Sequence, residues 1–216
     1  MNEIITPTWI MPQKKYEILM LQELLKNKKI ERIVEIGSWK GQTALLFAMM
    51  VSKHENGVVY CCDLGFGSYY GVHYGLEVGT GIVREYGKFY EASPYAKHIK
   101  ELAGNTHDPA YIERVHNEVG LGTIDFMFID GDHSYEGVKA DFYNFFPLVK
   151  SGGYIAFHDV RDTPDHISRG CDVAPFWREI KKDFTHWEFI DSNEYPGWAG
   201  EIMPSDCMGI GVIKTK

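Results

Sequence analysis

Five short apolar runs punctuate the chain, each closing on a polar residue or glycine: "RIVEIG" at 32–37, "GVVYCCDLG" at 57–65, "HIKELAGN" at 98–105, "IDFMFID" at 124–130 and "GGYIAFHD" at 152–159. Short runs rich in β-branched and aromatic residues, with turn residues at their ends, read as buried strands. The stretches that follow, "QTALLFAMMVSKH", "PAYIERVHNEVG", "SYEGVKADFYNFFPLV" and "APFWREIKKDF", repeat their apolar residues at helical spacing. Strand and helix in strict alternation imply a parallel sheet with helices on both faces. The final runs, "WEFID" and "MGIGVIK", have no helix between them and predict an antiparallel hairpin at the sheet edge. The expected fold class is therefore α/β, a doubly wound and mostly parallel sheet.

A chain of 216 residues with 44% apolar content predicts a single domain over 1–216. Pro12, with Ile18, Leu21, Leu24 and Leu25 at helical spacing, predicts an N-terminal helix over about 12–27. A net charge of −8 and the lack of a Lys/Arg stripe argue against a nucleic-acid partner. The longest apolar run, "ALLFAMMV", is far shorter than the roughly 20 residues a membrane crossing needs. The opening residues lack a basic start followed by an apolar core, so the expectation is a cytoplasmic protein without a secretory leader. Cys61, Cys62, Cys171 and Cys207 have no C-x-x-C or zinc spacing and read as reduced, buried or incidental thiols. Residues 64–95, rich in glycine and aromatics, have no sustained period; a lid over a substrate and a packed surface excursion both fit.

The turn after the first strand is "EIGSWKGQT", carrying Glu35, Gly37, Ser38, Trp39, Gly41 and Thr43. Glycines there let a ligand approach the backbone, and Thr43 is placed to satisfy free N–H groups at the helix start. A dinucleotide site would want G-x-G-x-x-G facing a pyrophosphate. The middle glycine is missing, which makes an NAD site a poor fit. Asp63 closes the second strand, where a carboxylate can accept both hydroxyls of a ribose. Together these features suit a nucleoside ligand without phosphates.

In these residues the chain resembles class I S-adenosylmethionine-dependent methyltransferases. "VEIGSWKGQT" is similar to their first motif, with Asp63 as the ribose acid, and "IKELAGNTHDP" to the third, with Asn105 and Thr106 near the adenine. "IDFMFIDGDHSYEGV" and "LVKSGGYIAFHDV" resemble the fourth and fifth. The likeness spans roughly 13–214 and is strongest to small-molecule O-methyltransferases of the catechol and macrolide-sugar kinds and to cephalosporin hydroxylase-like proteins. It implies a Rossmann-like seven-stranded sheet, its seventh strand inserted antiparallel, and S-adenosylmethionine as cofactor. It also implies a small hydroxylated acceptor. Asn105 departs from the aspartate usual at its position.

Neighbouring parallel strands lie ~4.8 Å apart, so Asp130, at the end of the fourth, should meet His158 and Asp159, at the end of the fifth. Such a set can hold a divalent metal beside the cofactor. Catechol-type relatives place Asp and then Asp-Asn at these positions. A histidine ligand favours manganese, iron or zinc over magnesium. His133 stands where those relatives carry a catalytic lysine and is a candidate base. A metal-free site, with His133 or His158 as base steadied by Asp130 or Asp159, is the alternative. Asp132 or Ser134 is expected to cap the next helix. Three functions remain open: O-methylation, oxidation in the manner of the hydroxylase-like branch, and cofactor binding without catalysis. The sequence leaves the acceptor and any homo-oligomer open.

Overall fold

The structure is a computed structural model that describes residues 13–65, 68–70, 82–85, 88, 90–168, 170–193, 195–196, 202–203 and 208–216. Seven strands build the main sheet: β1 (Arg32–Ile36), β2 (Val58–Asp63), β3 (Ile99–Ala103), β4 (Ile124–Ile129), β5 (Val149–His158), β6 (Thr185–Phe189) and β7 (Ile210–Lys214). Their spatial order is β3-β2-β1-β4-β5-β7-β6. The pairs from β3 to β5 are parallel, and β7 runs antiparallel to both β5 and β6. The last two strands do form the expected antiparallel pair. Strand β7 sits inside the sheet and leaves β6 as the edge, the arrangement implied by the methyltransferase resemblance.

Side-chain alternation distributes these strands between two cores. Val34, Ile36, Met127, Ile129, Ile155 and Phe157 face one side, where they join Val115 of α3 (Pro109–Val119), Phe142 of α4 (Tyr135–Phe145) and Trp177 of α6 (Val173–Ile180). Ile33, Phe126, Phe128, Tyr154 and Ala156 face the other, against Leu21 of α1 (Lys15–Leu25) and Phe47 of α2 (Gln42–Val51). Phe47 meets Phe126 and Phe128 edge-on at 5.4 and 5.5 Å, an arrangement that adds quadrupole attraction to the buried area. Successive residues thus enter opposite cores, which is why the strands read as unbroken apolar runs.

Several boundaries differ from the sequence expectation. Helix α1 covers Lys15–Leu25 rather than 12–27, and Pro12 lies outside the described residues. Helix α4 gives way to a 3-10 turn at Phe146–Leu148, where Pro147 cannot donate an intrahelical hydrogen bond, and β5 starts at once at Val149. A short helix α5 (Pro164–Ser168), with no counterpart among the expected helices, follows β5. Within 64–95 two segments, Ser68–Tyr70 and Ile82–Glu85, pair as an antiparallel ribbon. Phe66, Tyr74 and Tyr86 lie outside the described residues, as does Cys207. Among the described residues no helix is long and apolar enough to cross a membrane.

Candidate active site

The carboxyl ends of β1, β2, β4 and β5 share one rim of the sheet, the place where open α/β folds bind ligands. Its first part is the turn between β1 and α2. Gly37 has φ +82°, and a Cβ there would stand 2.0 Å from the carbonyl oxygen of Asp130. Gly41 has φ +79°, and a Cβ there would strike the Tyr90 ring at 2.2 Å. Both glycines are therefore required by packing within the chain itself. Trp39 adopts φ +45° between them, with the Lys40 ammonium 4.4 Å from its ring centre. Thr43 is not a helix cap. Its hydroxyl donates to Gln13 Oε1 at 2.8 Å, because Gln13 crosses from the segment before α1 and offers a buried acceptor.

Asp63 holds this turn in shape. Its Oδ2 accepts from the backbone N–H groups of Ser38 and Trp39 at 2.9 and 2.8 Å, and its Oδ1 accepts from Gly65 N–H at 2.9 Å. Glu35 is fully buried, and Cys61 Sγ donates to its Oε2 over a long 3.6 Å; its Oε1 has no hydrogen-bond partner among the described residues. Burial, reinforced by the nearby charges of Asp130 and Asp63, pushes its carboxyl up to about 8. Asn105 Oδ1 accepts from His107 N–H at 2.9 Å, and Thr106 O accepts from Asn144 Nδ2 at 3.1 Å. These two residues fold the turn after β3.

The second part of the rim brings the expected ionisable residues together. Strand register pairs Ile129 with Phe157, which sets Asp130 beside His158. Asp130 Oδ1 lies 3.1 Å from His158 Nδ1 and 3.3 Å from His133 Nε2. Asp159 Oδ1 lies 3.4 Å from the same His158 nitrogen, while its Oδ2 is 3.6 Å from His133 Nδ1. Two carboxylates and two imidazoles thus surround one another. Burial alone would suppress their charges, but mutual attraction wins: both carboxyls are held below the usual aspartate range. The His158 imidazole is raised, and His133 is lifted to about 8 by its hydrogen bond to Asp130 and the charge of Asp159. Asp159 itself has φ +58°, an uncommon conformation for a residue with a side chain. The backbone beyond it is pinned by Val160 N–H and Arg161 N–H donating to Gly209 O and Met208 O.

Asp130, His158 and Asp159 offer donor atoms that all lie within 4.8 Å of one another. An octahedral ion with bonds of about 2.1 Å needs adjacent donors about 3.0 Å apart; His158 Nδ1 stands 3.1 and 3.4 Å from Asp130 and Asp159, and the two carboxylates lie within 4.8 Å of each other. The donor set therefore fits a divalent ion. Ser134, not Asp132, caps α4, its Oγ accepting from Gly137 N–H; Asp132 accepts from Ser134 N–H one step earlier.

Four features were missed from sequence. Gln13 Nε2 donates to Asp130 Oδ2 at 2.9 Å, leaving Oδ1 toward the histidines. Glu17, fully buried on α1, accepts from Asp191 N–H and Gly209 N–H and ties the N-terminal helix to the start of β7. His166 Nδ1 approaches Arg161 O at 2.8 Å and its Nε2 accepts from Met208 N–H, so both ring nitrogens serve the backbone, with Asp159 3.5 Å away. Asp141 is fully buried with His107 Nε2 at 3.2 Å. Only Asp141 left a trace: it occupies an inward position beside Val138, Phe142 and Phe145, where an acid is out of pattern.

A probable caffeoyl-CoA O-methyltransferase of Arabidopsis thaliana is 27% identical over 170 residues, covering 74% of this chain and 60% of that protein. An uncharacterised protein of Acanthamoeba polyphaga mimivirus is 51% identical over 85 residues, 37% of each chain. The chain thus spans less than two thirds of the length of either curated relative. Among solved structures, the O-methyltransferase TomG of Streptomyces achromogenes, in complex with SAM, superposes with a TM-score of 0.55 at 15% identity, over 91% of this chain and 78% of that one. The methyltransferase MycE, in complex with Mg, SAH and mycinamycin VI, gives 0.50 at 15% identity, over 91% and 48%. The sequence profile of a methyltransferase domain matches residues 34–160, well over half of the chain, and the chain belongs to that methyltransferase domain family.

Proposed function

We propose that the protein transfers a methyl group from S-adenosylmethionine to a hydroxyl of a small molecule. The observation that carries this is the meeting of Asp130, His133, His158 and Asp159 at the strand ends, next to the glycine turn held by Asp63. Glu35, Gly37, Ser38, Trp39, Gly41, Thr43, Asp63, Asn105, Thr106 and Asp130 border the side assigned to the cofactor. One relative is named for caffeoyl-CoA and one structural neighbour is complexed with mycinamycin VI, which supports a hydroxylated small molecule as acceptor.

S-adenosylmethionine supplies an activated methyl on sulfur, so the chain's task is to align the acceptor and remove its proton. In its neutral form, which grows as pH rises toward about 8, His133 takes that proton at Nδ1, the nitrogen 3.6 Å from Asp159, while Asp130 steadies Nε2. Asp130, His158 and Asp159 would hold a divalent ion, which would lower the acceptor hydroxyl's pKa when bound. The imidazole in this set points to manganese or iron more than to magnesium.

Two imidazoles beside carboxylates also suit a non-haem iron centre, which supports an oxidative reading as second choice. Calorimetry with S-adenosylhomocysteine, followed by methyl transfer to a panel of phenols, catechols and sugars, separates the two. Binding together with a methylated product upholds the proposal. Absence of binding overturns it, and oxygen uptake with a hydroxylated product favours the second. Excess chelator should abolish transfer; full activity in chelator would remove the metal and leave His133 as the base.

A further inference from the structure

We propose that His133, Asp159 and Cys171 form a second cation site, selective for a thiophilic divalent ion of the zinc class. Their donor atoms lie within 4.8 Å of one another, and the set differs from the first in containing sulfur. Asp159 can serve both sets because its two oxygens diverge: Oδ1 faces His158 and Oδ2 faces His133. The spacing also differs. Zinc bonds of about 2.1 Å in a tetrahedron set neighbouring donors about 3.4 Å apart, and His133 Nδ1 stands 3.6 Å from Asp159 Oδ2.

The backbone makes this neighbourhood a built one. Asp172 N–H donates to His133 O at 2.7 Å, which ties the residue after Cys171 to the turn that carries His133. Cys171 N–H donates to His166 O at 2.9 Å, anchoring the thiol's own peptide to α5. The loops that lead into α4 and α6 are thereby fastened together, with imidazole and thiol near a shared carboxylate. Cys61 and Cys62, by contrast, are fully buried within β2. A borderline-soft ion prefers a nitrogen, oxygen and thiolate set, whereas magnesium does not.

Binding of the ion releases the thiol proton and any proton on His133 Nδ1 to solvent, so affinity rises with pH. The binding claim stands on the three side chains. Its consequence rests on the methyltransferase reading: an ion on His133 Nδ1 occupies the nitrogen assigned to accept the acceptor's proton, and zinc therefore inhibits.

Cobalt(II) substitution tests the site on the full-length protein under reducing conditions. One equivalent should give a thiolate-to-cobalt charge-transfer band in the near ultraviolet, displaced by zinc and absent from Cys171→Ser. The substitution replaces one half-buried small side chain by another of similar size, and an unchanged melting curve checks that it folds. Cys171→Ala provides a second variant without the band. No band in the parent, or a band that survives in both variants, overturns the site. In a protein that bound no S-adenosylhomocysteine, a Cys171-dependent band would still uphold the site while the methyltransferase reading failed. Zinc at one equivalent should lower methyl transfer at least tenfold in the parent and much less in Cys171→Ser.

Discussion

The two halves of the rim solve the same problem, a carboxylate at the end of a buried strand, in opposite ways. On the β1–β2 side, peptide groups do the work: three backbone N–H groups converge on Asp63, and Glu35 sits buried with its carboxyl raised to about 8. On the β4–β5 side, side chains answer side chains, and His133 and His158 keep Asp130 and Asp159 charged. A carboxylate held by its own backbone sets the shape of a turn. A carboxylate held by imidazoles can trade protons or a metal ion for them. The contrast predicts that damage on the first side appears as lost affinity or stability, and damage on the second as lost turnover.

The largest effect should come from His133→Ala. General-base removal costs ~10²–10⁴-fold in rate, and S-adenosylhomocysteine affinity should stay within about threefold because no cofactor role is assigned to His133. Single-turnover methyl transfer and calorimetry read the two quantities separately. Equal losses in both would erase the distinction between the two sides.

Asp63→Ala inverts that pattern. It leaves the N–H groups of Ser38, Trp39 and Gly65 without their acceptor. Hydrogen bonds to a charged group contribute about 1.5–3 kcal/mol each where they are buried, and solvent reaching this turn reduces that. Cofactor affinity should fall about tenfold or more, and Asp63→Asn should recover part of it. Unaltered affinity in the alanine variant would detach Asp63 from the cofactor altogether.

These contrasts explain what could be read in advance. Strand ends are local: "FMFID" and "IAFHD" announce where a buried run meets charge, so Asp130, His158 and Asp159 were legible, and parallel pairing then forces them together. The glycines were legible as special, but not their partners. The atoms they make room for belong to Asp130 and Tyr90, remote in sequence. Gln13 and Glu17 left no signal, because each meets partners more than a hundred residues away and a polar residue near a helix start is ordinary. Cys171 stayed hidden for a related reason: its neighbours His133 and Asp159 come from other loops, and no local spacing links them.

Glu35 sharpens the comparison through pH. Below its ordinary value of 4.5 both folded and unfolded chains carry the proton, and nothing is lost. Between 4.5 and about 8 the unfolded chain ionises while the folded one stays protonated, so stability declines as pH rises. One pH unit in that window corresponds to about 1.4 kcal/mol. Glu35→Gln removes the ionisation, and its unfolding free energy should decline less than the parent's by ~2 kcal/mol between pH 5.5 and 7.5. Parallel urea curves for the two proteins would contradict the neutral, buried carboxyl.

The smallest effect falls on the residue that joins the two sides. Gln13 accepts from Thr43 Oγ1, at the start of α2, and donates to Asp130 Oδ2, at the end of β4. With its amide oriented by both contacts, Asp130 can only turn its other oxygen toward His133 and His158. Gln13→Leu keeps a side chain of similar size and removes both bonds, the one with Thr43 worth about 1 kcal/mol and the one to the charged Asp130 about 1.5–3 kcal/mol. Melting should drop by a few degrees, and turnover by a few-fold as Asp130 gains freedom to rotate. Thr43→Val removes only the first bond, so the double variant tests whether the two hydrogen bonds act as a chain. Losses in turnover that simply add would mean that Thr43 does not act through Gln13. A double variant no worse than Gln13→Leu would show that the backbone-built half of the rim aims the charged half through this one amide.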